Sequence, residues 1–266
     1  MITINNHLHS CFSGDAEGSL EAIVKEALRC GIEQITVTDH APAPKGFSLE
    51  LPDCNMKDEL VSEYLGQTSG EIDLGIGLEI DYFEDYEPVI PELDFALGAV
   101  HVVKDICFDF SPGEFERASR IAGGVKKLYS EYFRLLNEAI VCGKFDCVAH
   151  LDLIKKFNAN EKYFSEKEDE YVECIVQTLD NIAEEGIAME INTAGLFKLV
   201  SEIYPSPWIV KEALERGIDI SVGSDSHTPR ALCQGYDRAE QVLKSAGCKE
   251  VCYFRERKRK SVPLTP

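Results

Sequence analysis

The sequence predicts a single α/β barrel, and three observations lead to it. Short hydrophobic strands alternate with amphipathic helices along the whole chain. A length of 266 residues suits a (β/α) barrel in one piece, as a single domain. All six histidines fall at or just past the C-terminal ends of predicted strands, the face where a parallel barrel gathers its active site. A doubly wound open sheet shares the first two features but brings together only the strands beside its switch point. Ligand-type residues on so many strands therefore favour closure.

Residues 2–8 read as the first strand, and SLEAIVKEALRCG as a helix capped by Ser19 and ended by Gly31. QITVTDH (34–40) is the second strand. Pro42, Pro44 and Pro52 then open a long loop, with a helix expected from Met56 to Leu65. IDLGIGLEIDY (72–82) and FALGAVHVV (95–103) are the third and fourth strands. One helical stretch from Pro112 to Cys142 precedes the fifth strand, FDCVAHLD (145–152). A helix from Ser165 to Glu185 leads to IAMEINTAG (187–195), and PSPWIVKEALERG leads to IDISVGSDSH (218–227). A last helix covers Arg230 to Ala246. The strands are short and apolar, as in sheets covered on both faces. Residues 255–266, with Arg255, Arg257, Lys258, Arg259 and Lys260, are expected to form a solvated basic tail.

Composition narrows the function. With 44% hydrophobic and 28% charged residues the chain matches a soluble enzyme. No apolar run approaches the ~20 residues of a membrane span. MITINNHLHS reads as a strand rather than a secretion signal, so a cytoplasmic location is expected. A net charge of −20 argues against a nucleic-acid partner. Ten cysteines without a CxxC pair read as reduced, mostly buried thiols, with Cys11 near enough to the first histidines to approach a site.

The chemistry-bearing residues are His7, His9, His40, Glu79, His101, His150, Asp225 and His227, each at a strand end. In His7-Leu8-His9 the spacing of two puts both imidazoles on one face of a strand, where they can chelate together. Singly, each residue also fits a core histidine, a turn or a cap. Together they supply imidazole and carboxylate in the proportion that Zn²⁺, Fe²⁺ or Mn²⁺ sites use, with no thiolate needed.

These residues resemble the motifs of the PHP (polymerase and histidinol phosphatase) family: His7-Leu8-His9, Thr38-Asp39-His40, His101 and Gly223-Ser224-Asp225-Ser226-His227. The histidinol-phosphatase branch is the most similar, through Glu79-Ile80-Asp81-Tyr82, the FALGAVHV and EINTAG stretches and Tyr204-Pro205-Ser206-Pro207. The resemblance implies a distorted (β/α)7 TIM-like barrel carrying three divalent metals (Zn, Fe or Mn). One metal would take His7, His9, Glu79 and Asp225; a second would share Glu79 and add His101 and His150. A third would take His40, His227 and Asp15. It implies hydrolysis of a phosphomonoester, L-histidinol phosphate in histidine biosynthesis, with a nucleotide or phosphotyrosine ester as the alternative substrate and a non-catalytic module as the alternative role. His7, His9, Glu79, Asp225 and His227 would carry the catalysis.

The metals would also reconcile an anionic substrate with the −20 chain. Nine ligands around three ions leave a local charge of about +3, which a phosphate dianion roughly neutralises. Lys155 is the favoured phosphate contact because it follows the His150 strand, with Arg117, Lys156 and Arg230 as further candidates.

Overall fold

The structure is a computed structural model that describes residues 1–41, 72–83 and 93–264. The expected helix from Met56 to Leu65 lies outside the described residues. In chain order the strands are β1 (Ile4–Asn5), β2 (Gln34–His40), β3 (Asp73–Asp81), β4 (Phe95–Ala99), β5 (Val102–Val103), β6 (Ile106–Cys107), β7 (Cys147–Val148), β8 (Ala188–Asn192), β9 (Ile220–Gly223), β10 (Glu250–Arg255) and β11 (Lys258–Pro263). The α-helices are α1 (Leu20–Cys30), α2 (Pro112–Ala122), α3 (Val125–Val141), α4 (Asp169–Glu185), α5 (Pro207–Glu215) and α6 (Tyr236–Ser245).

The main sheet runs β1-β2-β3-β4-β7-β8-β9-β10-β11, parallel from β1 through β10. Beyond β1 the chain stays extended and hydrogen-bonds to the end of β9. Asn6 N donates to Val222 O (2.8 Å), Asp225 N to His7 O (2.8 Å) and His9 N to Ser226 O (2.9 Å). These bonds join the last barrel strand to the first, so β1, β2, β3, β4, β7, β8 and β9 form the expected ring. Their C-terminal ends then lie on one face.

The helices follow the sequence signals. Ser19 Oγ accepts from Ala22 N (3.3 Å) at the start of α1, and Gly31 ends it at φ 73°, a cap worth roughly 1 kcal/mol. The stretch expected as one helix from Pro112 to Cys142 is two. Gly123 (φ 89°) and Gly124 (φ 125°) take up backbone conformations that L side chains rarely adopt, and the helix breaks there. No described helix is long and apolar enough to cross a membrane.

The C-terminal residues are not a solvated tail. β10 and β11 form an antiparallel hairpin, and β10 touches β9 at Cys252–Ser221. Cys252 and Phe254 are buried with Phe95, Leu97, Ala99, Cys147, Ala149 and Ala188. Three arginines of the hairpin fasten it to aspartates at the beginnings of barrel strands. Arg255 pairs with Asp73 (2.8 Å), Arg257 with Asp146, and Arg259 with Asp219 (2.5 Å). What composition presents as a basic run is thus a clamp on the barrel's N-terminal end, opposite the histidines.

Replacing Arg257 by Ala leaves the Asp146 carboxylate, which also accepts from Ala96 N, without its guanidinium. We expect a loss of about 1–3 kcal/mol and a Tm lowered by roughly 2–8 °C. Lys258→Ala, at an exposed pair with Glu256, should change Tm little. Thermal melts of the two variants check this, and equal effects would contradict it.

Candidate metal centre

Each strand end delivers one or two polar side chains to the same space. His7 and His9 come from the extension of β1, His40 from the end of β2, and Glu79 and Asp81 from β3. His101 follows β4, His150 follows β7, Glu190 and Asn192 lie on β8, and Asp225 and His227 follow β9. The middle residue of Thr38-Asp39-His40 has a different task. Ser10 donates to the buried Asp39 carboxylate through both its backbone N and its Oγ (2.6 Å each), fixing the loop after His9.

Glu79, 2% exposed, is the hub. Its Oε2 lies 3.0 Å from His40 Nδ1, 3.5 Å from His7 Nε2 and 3.6 Å from His9 Nε2. Its Oε1 lies 2.8 Å from His150 Nε2 and 3.6 Å from His101 Nε2. Asp225 Oδ1 stands 3.3 Å from His9 Nε2, 3.7 Å from His7 Nε2 and 3.6 Å from His227 Nδ1. Asp15 Oδ2 stands 3.2 Å from His227 Nε2 and 3.5 Å from His40 Nε2. Among the described residues, three groups have ligand atoms close enough to share an ion: His7-His9-Glu79, Glu79-His101-His150 and His9-His40-His227.

The donor set fits cations. His7 Nδ1 is bonded to Glu190 Oε1 (2.7 Å), His9 Nδ1 to Ser13 Oγ (3.1 Å) and His101 Nδ1 to Asp81 Oδ1 (2.8 Å). With these Nδ1 atoms protonated, the Nε2 lone pairs point inward, and those of His7 and His9 face each other at 3.2 Å. Lone pairs so close repel unless something positive lies between them. His150 Nδ1 is buried and has no hydrogen-bond partner among the described residues.

Two of the ligand-type residues have unusual backbones. His150 has φ 24° and Asp225 φ 49°, costing of order 1–3 kcal/mol each. Asp225 is held by the bond from its N to His7 O, and His150 by one from its N to Glu190 Oε2 (2.8 Å).

The groups open onto a cavity of about 660 Å³ lined by, among others, Asp109, Phe110, Lys156, Lys198 and Tyr204. All nine expected ligand-type residues are brought together, Asp15 included, although Asp15 is half-exposed. Of the expected substrate contacts, Lys156 lines the cavity, whereas Lys155, Arg117 and Arg230 do not. Lys155 Nζ is fully buried among Asp152 (2.9 Å), Glu202 (2.8 Å) and Ser206. Arg117 is exposed on α2 and bonded to Glu114, and Arg230 is exposed on the short turn Pro229–Ala231. Among the described residues, the cationic side chains in the wall are Lys156, paired with Asp109 at 2.9 Å, and Lys198. Cys11 is exposed and outside the wall. Sequence reasoning also passed over Asp81 and Glu190. Both had a signal: Asp81 shares Glu79's strand face, two residues on, and Glu190 is an acid inside an apolar strand.

Residues 5–194 match the family model described as PHP domain. A Deinococcus radiodurans protein named "Probable histidinol-phosphatase" is 32% identical, over 96% of this chain and 97% of its own. The chain belongs to the PHP family, in its histidinol-phosphatase branch. The Bacillus subtilis protein named "Histidinol-phosphatase" is 29% identical, over 88% of this chain and 96% of that one. In fold, this PHP chain is similar to a Lactococcus lactis histidinol phosphate phosphatase crystallised with Zn, L-histidinol and phosphate (TM-score 0.79, 21% identity, covering 97% of this chain and 98% of that one).

Without bound metal, the neighbouring carboxylates favour protonation of several of these imidazoles. Burial opposes charging His101, yet Asp81 and Glu79 push it up to about 10. Burial likewise opposes protonation of His7 and His40, but Glu190, Glu79 and Asp225 raise the first and Glu79 and Asp15 the second. His9 goes the other way, down to about 3, through burial and the neighbouring histidines. Burial would raise the carboxyls of Glu79 and Asp225, but the imidazoles hold both well below the usual range.

The sign follows. Raised histidines contribute stability that is full below about pH 6.5 and lost as pH rises through their folded values. Depressed carboxyls contribute stability lost only toward low pH. Chelator-treated protein should therefore lose Tm as pH rises from about 6.5 toward 10, and His101→Gln should flatten part of that slope. Thermal melts across this range check it; a rising Tm in the metal-free wild type would contradict it.

Proposed function

We propose that this protein is a metal-dependent histidinol-phosphatase, hydrolysing L-histidinol phosphate to L-histidinol and phosphate. The observation that carries it is the convergence of imidazoles and carboxylates on buried Glu79, in a chain whose curated relatives match it nearly end to end. His7, His9, Glu79 and Asp225 would hold one ion, Glu79, His101 and His150 a second, and His40, His227 and Asp15 a third. The N/O donor set suits zinc, iron or manganese, and zinc is the ion in the Lactococcus lactis complex. Bound metals would polarise the phosphoryl oxygens and acidify a water toward pKa ~7.

The chain's own residues do the rest. Asp81 and Glu190 stand against His101 and His7, so two further carboxylates reduce the local positive charge to about +1. An anionic ester then needs an additional cation, which Lys198 offers from the cavity wall, since Lys156 there is already paired with Asp109. Phe110, 80% exposed and part of that wall, offers an aromatic surface for the imidazole of the substrate. Asp225 and His227 would serve as metal ligands, which leaves them poor free acids for passing protons to the reacting oxygens.

Purified protein should release phosphate from L-histidinol phosphate, lose activity on chelation and regain it with Zn²⁺, Mn²⁺ or Fe²⁺. His101→Ala should lower kcat/KM more than about 100-fold. Lys198→Ala should lower it by roughly 10–100-fold, mainly through KM. A phosphate-release assay over a panel of monoesters checks this. Turnover of nucleotides or phosphotyrosine with none of histidinol phosphate would overturn the substrate, and no turnover by metal-loaded protein would favour a non-catalytic module.

A further inference from the structure

Glu190 is a carboxylate in the middle of β8, 1% exposed, between Met189 and Ile191. Burying such a group is costly unless its oxygens are well used. Both are. Oε1 accepts from His7 Nδ1 at 2.7 Å, and Oε2 accepts from His150 N at 2.8 Å and from Asn192 Nδ2 at 3.1 Å. His7 and His150 belong to different groups of ligand atoms, joined only through Glu79.

The close approach is built in by a glycine. A Cβ on Gly223 would lie 2.1 Å from Glu190 Oε1 and 2.4 Å from His7 Cβ. Any larger residue at position 223 would drive the carboxylate from the imidazole. His150 depends on the same carboxylate from another direction. Its backbone is in the left-handed region (φ 24°), and the bond from its N–H to Glu190 helps hold it there, with its ring turned onto Glu79.

We propose that Glu190 is a positioning residue that sets two metal positions at once. Through one oxygen it fixes His7 with Nδ1 protonated, turning the Nε2 lone pair inward. Through the other it holds the strained His150 backbone, and so aims the second imidazole. The inference rests on the reading of His7 and His150 as metal ligands, and Gly223 is its steric counterpart.

The test is Zn²⁺ affinity, by competition with a chromophoric chelator on stripped and reloaded protein, read beside Tm and phosphate release. Glu190→Gln keeps the shape but must turn an NH2 toward one of the two donors. Glu190→Asp keeps the charge but is one methylene too short to serve both. Both variants should bind Zn²⁺ about 10–100-fold more weakly, recovering part of their activity at saturating metal. A variant that melts lower yet binds Zn²⁺ like wild type would make Glu190 merely structural and overturn the proposal. Full affinity in Glu190→Asp would overturn it too, since charge and not position would then suffice. Wild type that binds Zn²⁺ tightly but leaves histidinol phosphate intact sinks the proposed function alone, and weaker binding by the variants would still support this inference.

Discussion

Everything at the strand ends is arranged around one buried carboxylate. Glu79 cannot stay ionised in a barrel mouth without compensation, and imidazoles from β1, β2, β4 and β7 approach it within 3.6 Å. That requirement fixes the geometry of the rest. The strands must converge, which needs a closed ring. The ring closes where the His7–His9 segment hydrogen-bonds to the Val222–Ser226 segment, so the bonds that complete the barrel also position His7, His9 and Asp225.

Function and stability are therefore separated along the barrel axis. At one end, repelling lone pairs, left-handed backbones at His150 and Asp225 and clustered carboxylates are poor choices for a stable fold. Such strain is typical of sites organised for binding or chemistry. At the other end, the β10–β11 hairpin packs Phe254 on Phe95, with ring centroids 4.9 Å apart, and its arginines neutralise aspartates at three strand starts.

The barrel and the ligand-type residues were legible in the sequence because both leave local traces. Strand and helix periods differ, and a histidine or acid at the end of an apolar strand stands out. Glu190 was legible in principle, as an acid inside AMEIN, but its meaning depends on Gly223 of the neighbouring strand. The role of Lys155 was misread because sequence proximity to His150 says nothing of the side chain's direction. The chain turns through Leu153–Lys155, burying Lys155 and placing Lys156 in the cavity wall. The hairpin was missed because the run from Arg255 to Lys260 is charged, although β10 (EVCYFR) has an apolar middle, and the aspartate partners of its arginines lie far along the chain.

The convergence of imidazoles and carboxylates on Glu79 calls for metal ions among them. Anomalous diffraction at the zinc edge, on crystals of zinc-loaded protein, tests it most directly. Strong peaks are expected among His7, His9, His40, Glu79, His101, His150, Asp225 and His227, with the Nε2 atoms of His7 and His9 turned toward them. An empty centre, with zinc only at surface carboxylates, would contradict it.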